Sequence, residues 1–412
     1  MAVPTETSSQ EDVPAHVPDE LVRHVTFATA PGAEIDPYAA NKPLLDGPPI
    51  FYSPLMKSPT DNGTWVVTRT SLIREILTRP ESFSSADCSG LATLAGGGWD
   101  LIPLEKDPPD HLKYRVLLNP VFAPNRMAEM EDNIRGIAVD LIDRMLTKDE
   151  CEFDRDFGRP FPASIFLNLM GLPLELTDQF VEWELTLLQG ETFEIRAEAA
   201  QAVRDYLVEV IHQRRAAPID DLISFTVQAK VAGQPLTDDE ILGICYLLFV
   251  GGLDTVTSTL GFMFKHLAED QENQQRLSRS PEIIPAAMEE MLRAFAVVNS
   301  PRHVSHDMTF HGINMKKGDR IVLAMTIAGR DDREYSNADL IDFDRGSTRH
   351  VSFATGPHNC IGQHLARREL RIALEEWMKR VPRFKIKAGK TPITHGVTVF
   401  GVHKLPLTWS AA

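Results

Sequence analysis

The chain has 412 residues, 43% of them hydrophobic and 24% charged, with a formal net charge of −16. That is an ordinary globular composition, and its acidic balance excludes nucleic acid as the main partner, because phosphate recognition needs clustered Lys and Arg. The four cysteines, Cys88, Cys151, Cys245 and Cys360, include no CxxC pair, which excludes a zinc cluster and a secreted disulfide framework.

In chain order, residues 1–40 are rich in Pro, Glu, Thr and Ala and lack periodicity. They read as a loose N-terminal segment ahead of a single domain over 41–412. The first residues have neither a basic n-region nor an apolar h-region, so a signal peptide is not expected and the reading is cytoplasmic. TDNGTWVVT at 60–68 carries an Asn-Gly hairpin signal followed by a strand-like run. From about 70 to 300, SLIREILTR, MAEMEDNIRGIAVDLIDRML, AEAAQAVRDYLVEVIHQRR and PAAMEEMLRAF place apolar residues at helical spacing. The most apolar run, ICYLLFVGGL at 244–253, is too short to span a bilayer, so no membrane is expected. Residues 308–326 and 394–409 return to strand and turn texture. The expected fold class is mainly α, a helical body with a smaller β-rich portion, without internal repeats or low-complexity linkers.

Four stretches carry chemistry. DPPDHLKYR at 107–115 predicts a helix with Asp107 as cap and Pro108 at its first position. Residues 237–270 predict a long buried helix opened by a Thr237/Glu240 capping box. Gly251, Gly252, Asp254 and Thr255 sit in its middle. A mid-helix glycine costs about 1 kcal/mol against Ala, and a buried Asp is costly unless paired. Local rules broken together mark a functional site. EEMLR at 289–293 sets Glu290 and Arg293 at i, i+3, a common and weak signal alone. FATGPHNCIGQHLARREL at 353–370 places the lone Cys360 before a helix starting near Gln363. A thiolate there is favoured by the helix dipole and free amides, and so held it suits haem iron. Gly356 and Gly362 remove side chains where a flat macrocycle would lie.

Phe353, Gly356, His358, Cys360 and Gly362 form a pattern that resembles the haem-ligand loop of the cytochrome P-450 family. The resemblance covers roughly residues 50–409 and is greatest to its bacterial camphor-hydroxylating branch. It implies the fold of that family, with haem b between the central helix and the cysteine loop. It implies Cys360 as the axial ligand, with Phe353, Gly362 and Gly251 against the haem. Arg115, Arg302, His358 and His111 are implied as propionate contacts; most of the family has Arg where His358 stands. Thr255 is implied to hydrogen-bond bound oxygen, and Asp254 to relay protons to it. Glu290, Arg293 and Arg345 are implied as a structural charge network behind the loop.

The family resemblance implies a monooxygenase using dioxygen and two electrons. The chain lacks a flavin fingerprint and a four-cysteine cluster motif, so electrons come from outside. The implied source is a two-iron ferredoxin fed by an NADH-dependent flavin reductase, docking near Arg115 and the cysteine loop on a monomeric enzyme. Asn359, where the camphor enzyme has leucine, points to a different partner preference. Trp99 stands where the camphor enzyme has a ketone-binding tyrosine. With Leu247, Val250, Val298, Thr398 and Val399 it outlines a mostly apolar pocket. The expected substrate is a small terpenoid or norisoprenoid of the ionone type, with camphor or another bicyclic monoterpene as the alternative. Two rival readings, a non-catalytic haem sensor and a cysteine-nucleophile hydrolase, would need no Asp254–Thr255 pair and no Soret band, respectively.

Overall fold

The computed structural model describes residues 13–57, 63–346, 348–397 and 399–409. The body is helical, and its axis is the 32-residue helix Asp238–Glu269. The capping box forms: Glu240 N donates to Thr237 Oγ1 at 3.2 Å, and Thr237 N donates to Glu240 Oε2 at 2.7 Å. Three acidic residues in the first turn complement the helix dipole. From Leu253 to Phe264 almost every side chain is buried. The helices Pro160–Met170, Thr177–Gln189 and Phe193–Ala216 and the hairpin Ile393–Gly396/Phe400–Lys404 pack around it. This is the one helix among the described residues long and apolar enough to cross a membrane, and it is the core helix of the fold.

The β-rich portion is a five-stranded sheet in the order Ile50–Ser53, Thr64–Val67, Arg320–Leu323, Ser300–Val304, Phe83–Ser84. Its neighbours are antiparallel except Thr64–Val67 against Arg320–Leu323. The strand-like run at 64–67 is therefore a fully buried strand. Asn62 of the expected Asn-Gly turn lies outside the described residues.

Two local expectations fail for physical reasons. The segment expected to be loose up to residue 40 is packed from about residue 13. Val17, Phe27, Ala33 and Tyr38 are buried, Tyr38 donates its hydroxyl to Ala296 O at 3.1 Å, and its ring meets Phe262 edge-on at 4.8 Å. Each apolar residue fills a slot built by distant chain, so no periodicity announces it. The helix expected to be capped by Asp107 runs Asp110–Leu118, with Pro109 before it and no side-chain cap. Pro108 and Pro109 have no N–H to give to a cap at 107. The Asp107 carboxylate instead accepts from Ser84 Oγ and from Ser85 N at 2.8 Å.

Candidate active site

The cysteine loop is built by its own backbone. Cys360 N donates to Phe353 O at 2.9 Å and Asn359 N to Gly356 O at 3.1 Å. Gly356 has φ +73°, and a Cβ there would lie 2.4 Å from Leu77 O, so both backbone shape and close approach demand glycine. The helix Gln363–Arg380 starts where expected. The Cys360 sulfur accepts from the amides of Gly362 and Gln363. Burial pushes its thiol up, while these amides and the guanidiniums of Arg115 and Arg367 favour the thiolate. Phe353 is half-buried beneath the Arg367 guanidinium, 4.4 Å from its ring centroid. Asn359 turns inward: its Nδ2 donates to Phe353 O at 3.1 Å and Ala354 O at 3.3 Å. Its side chain thereby shapes the loop.

The central helix presents an unusual stripe. Leu247, Leu248, Val250, Gly252 and Thr255 are half-buried and Gly251 is exposed, inside an otherwise buried helix. Residues four apart share a face, so Leu247, Gly251 and Thr255 line one side of an interior opening. A Cβ on Gly251 or Gly252 would meet nothing within 4 Å. The helix is uninterrupted, so the room comes from missing side chains and not from a broken turn. Thr255 Oγ1 donates to Gly251 O, and Thr259 Oγ1 to Thr255 O, both at 2.7 Å, a pairing that eases local bending. Asp254 is buried beside this stripe. Burial pushes its carboxyl up, and Arg159 opposes that shift.

Arg115, Arg302, His111 and His358 converge from three elements. The two imidazoles lie 4.2 Å apart, centroid to centroid. Burial and neighbouring cations push His358 down to about 3 and His111 to about 4, so both are neutral N–H carriers. Arg302 comes from the strand Ser300–Val304 and donates to Ser300 Oγ at 2.8 Å and Pro301 O at 2.6 Å. Arg115 donates to Asn359 O at 2.7 Å, tying its helix to the cysteine loop.

Behind the loop, Glu290 accepts from Arg293 Nε and Nη2, both at 2.8 Å, from Arg345 Nε at 3.0 Å and from Asp342 N at 3.0 Å. Arg293 also donates to the carbonyls of Gly329, Ala338 and Leu340. The expected trio is thus assembled, with Glu290 1% and Arg293 0% exposed. Sequence reasoning missed its neighbour Glu289. That carboxylate takes His350 Nε2 at 3.1 Å and Arg367 Nε at 2.5 Å, clamping the approach to the loop and the helix after it. Burial would raise it, but these donors hold it down at about 2. Its place one residue before Glu290, on the next helix face, was the one available signal.

A family model described as Cytochrome P450 matches residues 174–280 and 281–409. The chain is 41% identical over 404 residues to a probable cytochrome P450 127A1 of Sinorhizobium fredii, covering 97% of each. The chain belongs to the cytochrome P450 family. Solved structures of CYP101C1 and CYP101J2 superpose on this P450 with TM-scores of 0.87, at 32% and 31% identity. Each superposition covers 97% of this chain and 100% of the other. The P450 is accordingly a monooxygenase with a haem-thiolate iron cofactor and dioxygen as cosubstrate.

The residues present fit a haem. The glycine stripe leaves a slot, and a Cβ on Gly362 would meet only Cys360 Sγ, at 4.0 Å. Neither Arg115 nor Arg302 is paired with a carboxylate among the described residues. The buried Nε2 atoms of His111 and His358 have no partner. Unpaired buried donors grouped this way suit a dianionic group.

Of the expected pocket residues, Val298 and Val399 meet in an isolated antiparallel bridge, and Leu247 and Val250 are half-buried on the central helix ahead of Gly251. Trp99 is half-buried, with its ring 5.0 Å from that of Tyr246 and its Nε1 buried and unpartnered. Thr398 lies outside the described residues.

Proposed function

We propose that this P450 hydroxylates a small, largely apolar terpenoid or norisoprenoid of the ionone type, with Cys360 as the thiolate ligand of haem b. The observation that carries the reading is the half-exposed apolar stripe inside a buried helix, Leu247 and Val250 beside Gly251, with the Val298–Val399 pair as further apolar lining. Apolar walls with few polar groups suit a hydrocarbon ligand. The unpartnered Trp99 Nε1 supports a ligand with one carbonyl, since a buried donor seeks an acceptor.

In this reading Arg115, Arg302, His111 and His358 hold the haem propionates. Bound haem supplies the binding and reductive activation of dioxygen and the insertion of one oxygen atom into a C–H bond. The amides of Gly362 and Gln363 hold the Cys360 sulfur as thiolate, and Glu290, Arg293 and Arg345 hold the structure behind its loop. The apolar walls orient the substrate and keep water out. The Thr255 hydroxyl, at the glycine stripe, positions a proton there, and Asp254 supplies it.

Electrons come from a two-iron ferredoxin docking at the helix Asp110–Leu118. Leu112 and Val116, 60% and 68% exposed and one turn apart, offer an apolar centre beside Arg115. The first test is titration of the ferric protein with β-ionone and with camphor while the Soret band is watched for a low- to high-spin shift. A tight shift with ionone and none with camphor is expected. A strong camphor shift with no ionone response would reverse the substrate reading.

A further inference from the structure

Asp254 is buried within electrostatic reach of three more buried ionisable side chains, Asp154, Arg159 and Glu184. Asp154 is 7%, Arg159 4%, Glu184 1% and Asp254 4% exposed. Arg159 Nε donates to Asp154 Oδ2 at 2.7 Å. Its Nη1 lies 3.9 Å from Glu184 Oε2. That Nη1 and both Glu184 oxygens are buried without a partner. Nothing in the sequence pattern joins these residues, which come from the π-helical segment Asp154–Gly158, the start of the helix Pro160–Met170, the helix Thr177–Gln189 and the central helix.

Charge counting decides what the cluster holds. Three carboxyls surround one guanidinium, so full ionisation would bury a net charge of −2. The other ionisable groups within electrostatic reach of the cluster are His395 and His403 of the hairpin and Glu152. His395 and His403 rings are 4.1 Å apart; burial pushes His395 down to about 3 and lowers His403, so neither supplies a compensating cation. Glu152 adds negative charge near Asp154. A buried excess of charge is relieved by taking up protons. Asp154 holds the direct ion pair with Arg159, which leaves the proton to Glu184 and Asp254. Burial, then the Asp254 carboxylate, push Glu184 well above the usual carboxylate range. Unpartnered polar atoms in such a cluster call for water.

We propose that Glu184 is a positioning residue for the oxygen chemistry: a neutral carboxylic acid that hands its proton to Asp254, across buried water, each time Asp254 has given its own towards Thr255. In the transfer, Glu184–COOH and Asp254–COO⁻ become Glu184–COO⁻ and Asp254–COOH. No electrons move, Arg159 Nη1 stands ready for the new anion, and solvent later restores the proton to Glu184. The role does not depend on which substrate the enzyme takes.

The test is E184Q in the haem-loaded protein, with E184D as the conservative variant. Infrared spectra of the ferric wild type at neutral pH should show a protonated carboxyl C=O band that shifts in D2O. Asp254 and the buried Glu369 carry protonated carboxyls of their own, so the band should lose one carboxyl's intensity in E184Q and keep it in E184D. As the isostere of a neutral acid, E184Q should melt at the wild-type temperature at pH 7. Product formed per electron pair should fall several-fold with a larger solvent isotope effect, while ligand-induced spin shifts stay unchanged, and E184D should restore part of the coupling. A carboxyl band of undiminished intensity in E184Q overturns the proposal. So does a clear loss of folding stability in E184Q, since that would make Glu184 an anion paired with Arg159. Unchanged coupling and isotope effect overturn it as well.

Discussion

Glu290→Gln isolates the charge from the shape of the network behind the cysteine loop. The amide keeps the volume of the acid but turns an NH2 towards donors. Arg293, fully buried, would lose both 2.8 Å contacts as charge pairs, and Arg345 Nε, now 3.0 and 3.1 Å from the Glu290 oxygens, would face a second guanidinium without an anion between them. Breaking one partner of a buried pair costs about 3–5 kcal/mol. At about 2.1 cal/mol/K per residue, unfolding a chain of this length has an entropy of about 0.9 kcal/mol/K, so Tm should fall by about 3–6 °C. Circular dichroism melts at matched haem content give the number, and Arg345→Ala, which spares the Glu290–Arg293 pair, should cost less. A Glu290→Gln shift below about 1 °C on that scale would refute the reasoning. It would mean that the backbone carbonyls of Gly329, Ala338 and Leu340 hold Arg293 without the carboxylate.

Three further perturbations read other parts of the site. Thr255→Ala should keep consuming oxygen while product per electron falls several-fold and peroxide rises, measured by oxygen electrode and peroxide assay; full coupling would remove Thr255 from its role. Arg302→Ala deletes a buried cation assigned to the haem acids. Hydrogen bonds to charged groups are worth about 1.5–3 kcal/mol, so haem loss to an acceptor protein should be roughly ten- to a hundred-fold faster, and an unchanged rate would place the propionates elsewhere. His395→Gln tests pH dependence. His395 sits at about 3 in the fold and near 6.5 in the unfolded chain, so unfolding takes up a proton as pH drops between these values and stability falls with it. The variant should match wild type above pH 7 and lose less stability between pH 6.5 and 4, read from denaturant midpoints; parallel curves would contradict the assigned burial.

Much of this was legible from local spacing. The capping box at Thr237 and Glu240, the periodic helices, the strand at Thr64–Val67 and the Cys360 loop before Gln363 need only neighbouring residues, and the structure repeats them. Asp107 shows the limit. Its Pro-Pro successor read as a helix start, yet the carboxylate went to Ser84 and Ser85, more than twenty residues earlier. The intraloop hydrogen bonds of the Asn359 amide to Phe353 O and Ala354 O were likewise not legible from the sequence.

The residues around Asp254 mark the same boundary. The sequence by itself determined that a carboxylic acid and an alcohol interrupt a buried helix beside two glycines, because the rule they break is a local one. Only the tertiary structure decided that Arg159, Asp154, Glu184 and His395 surround that acid, and that Glu289 clamps His350 to Arg367. These groups are brought together by packing of separate helices and a hairpin, and the energy of a buried charge depends on every neighbour in space, whatever its distance along the chain.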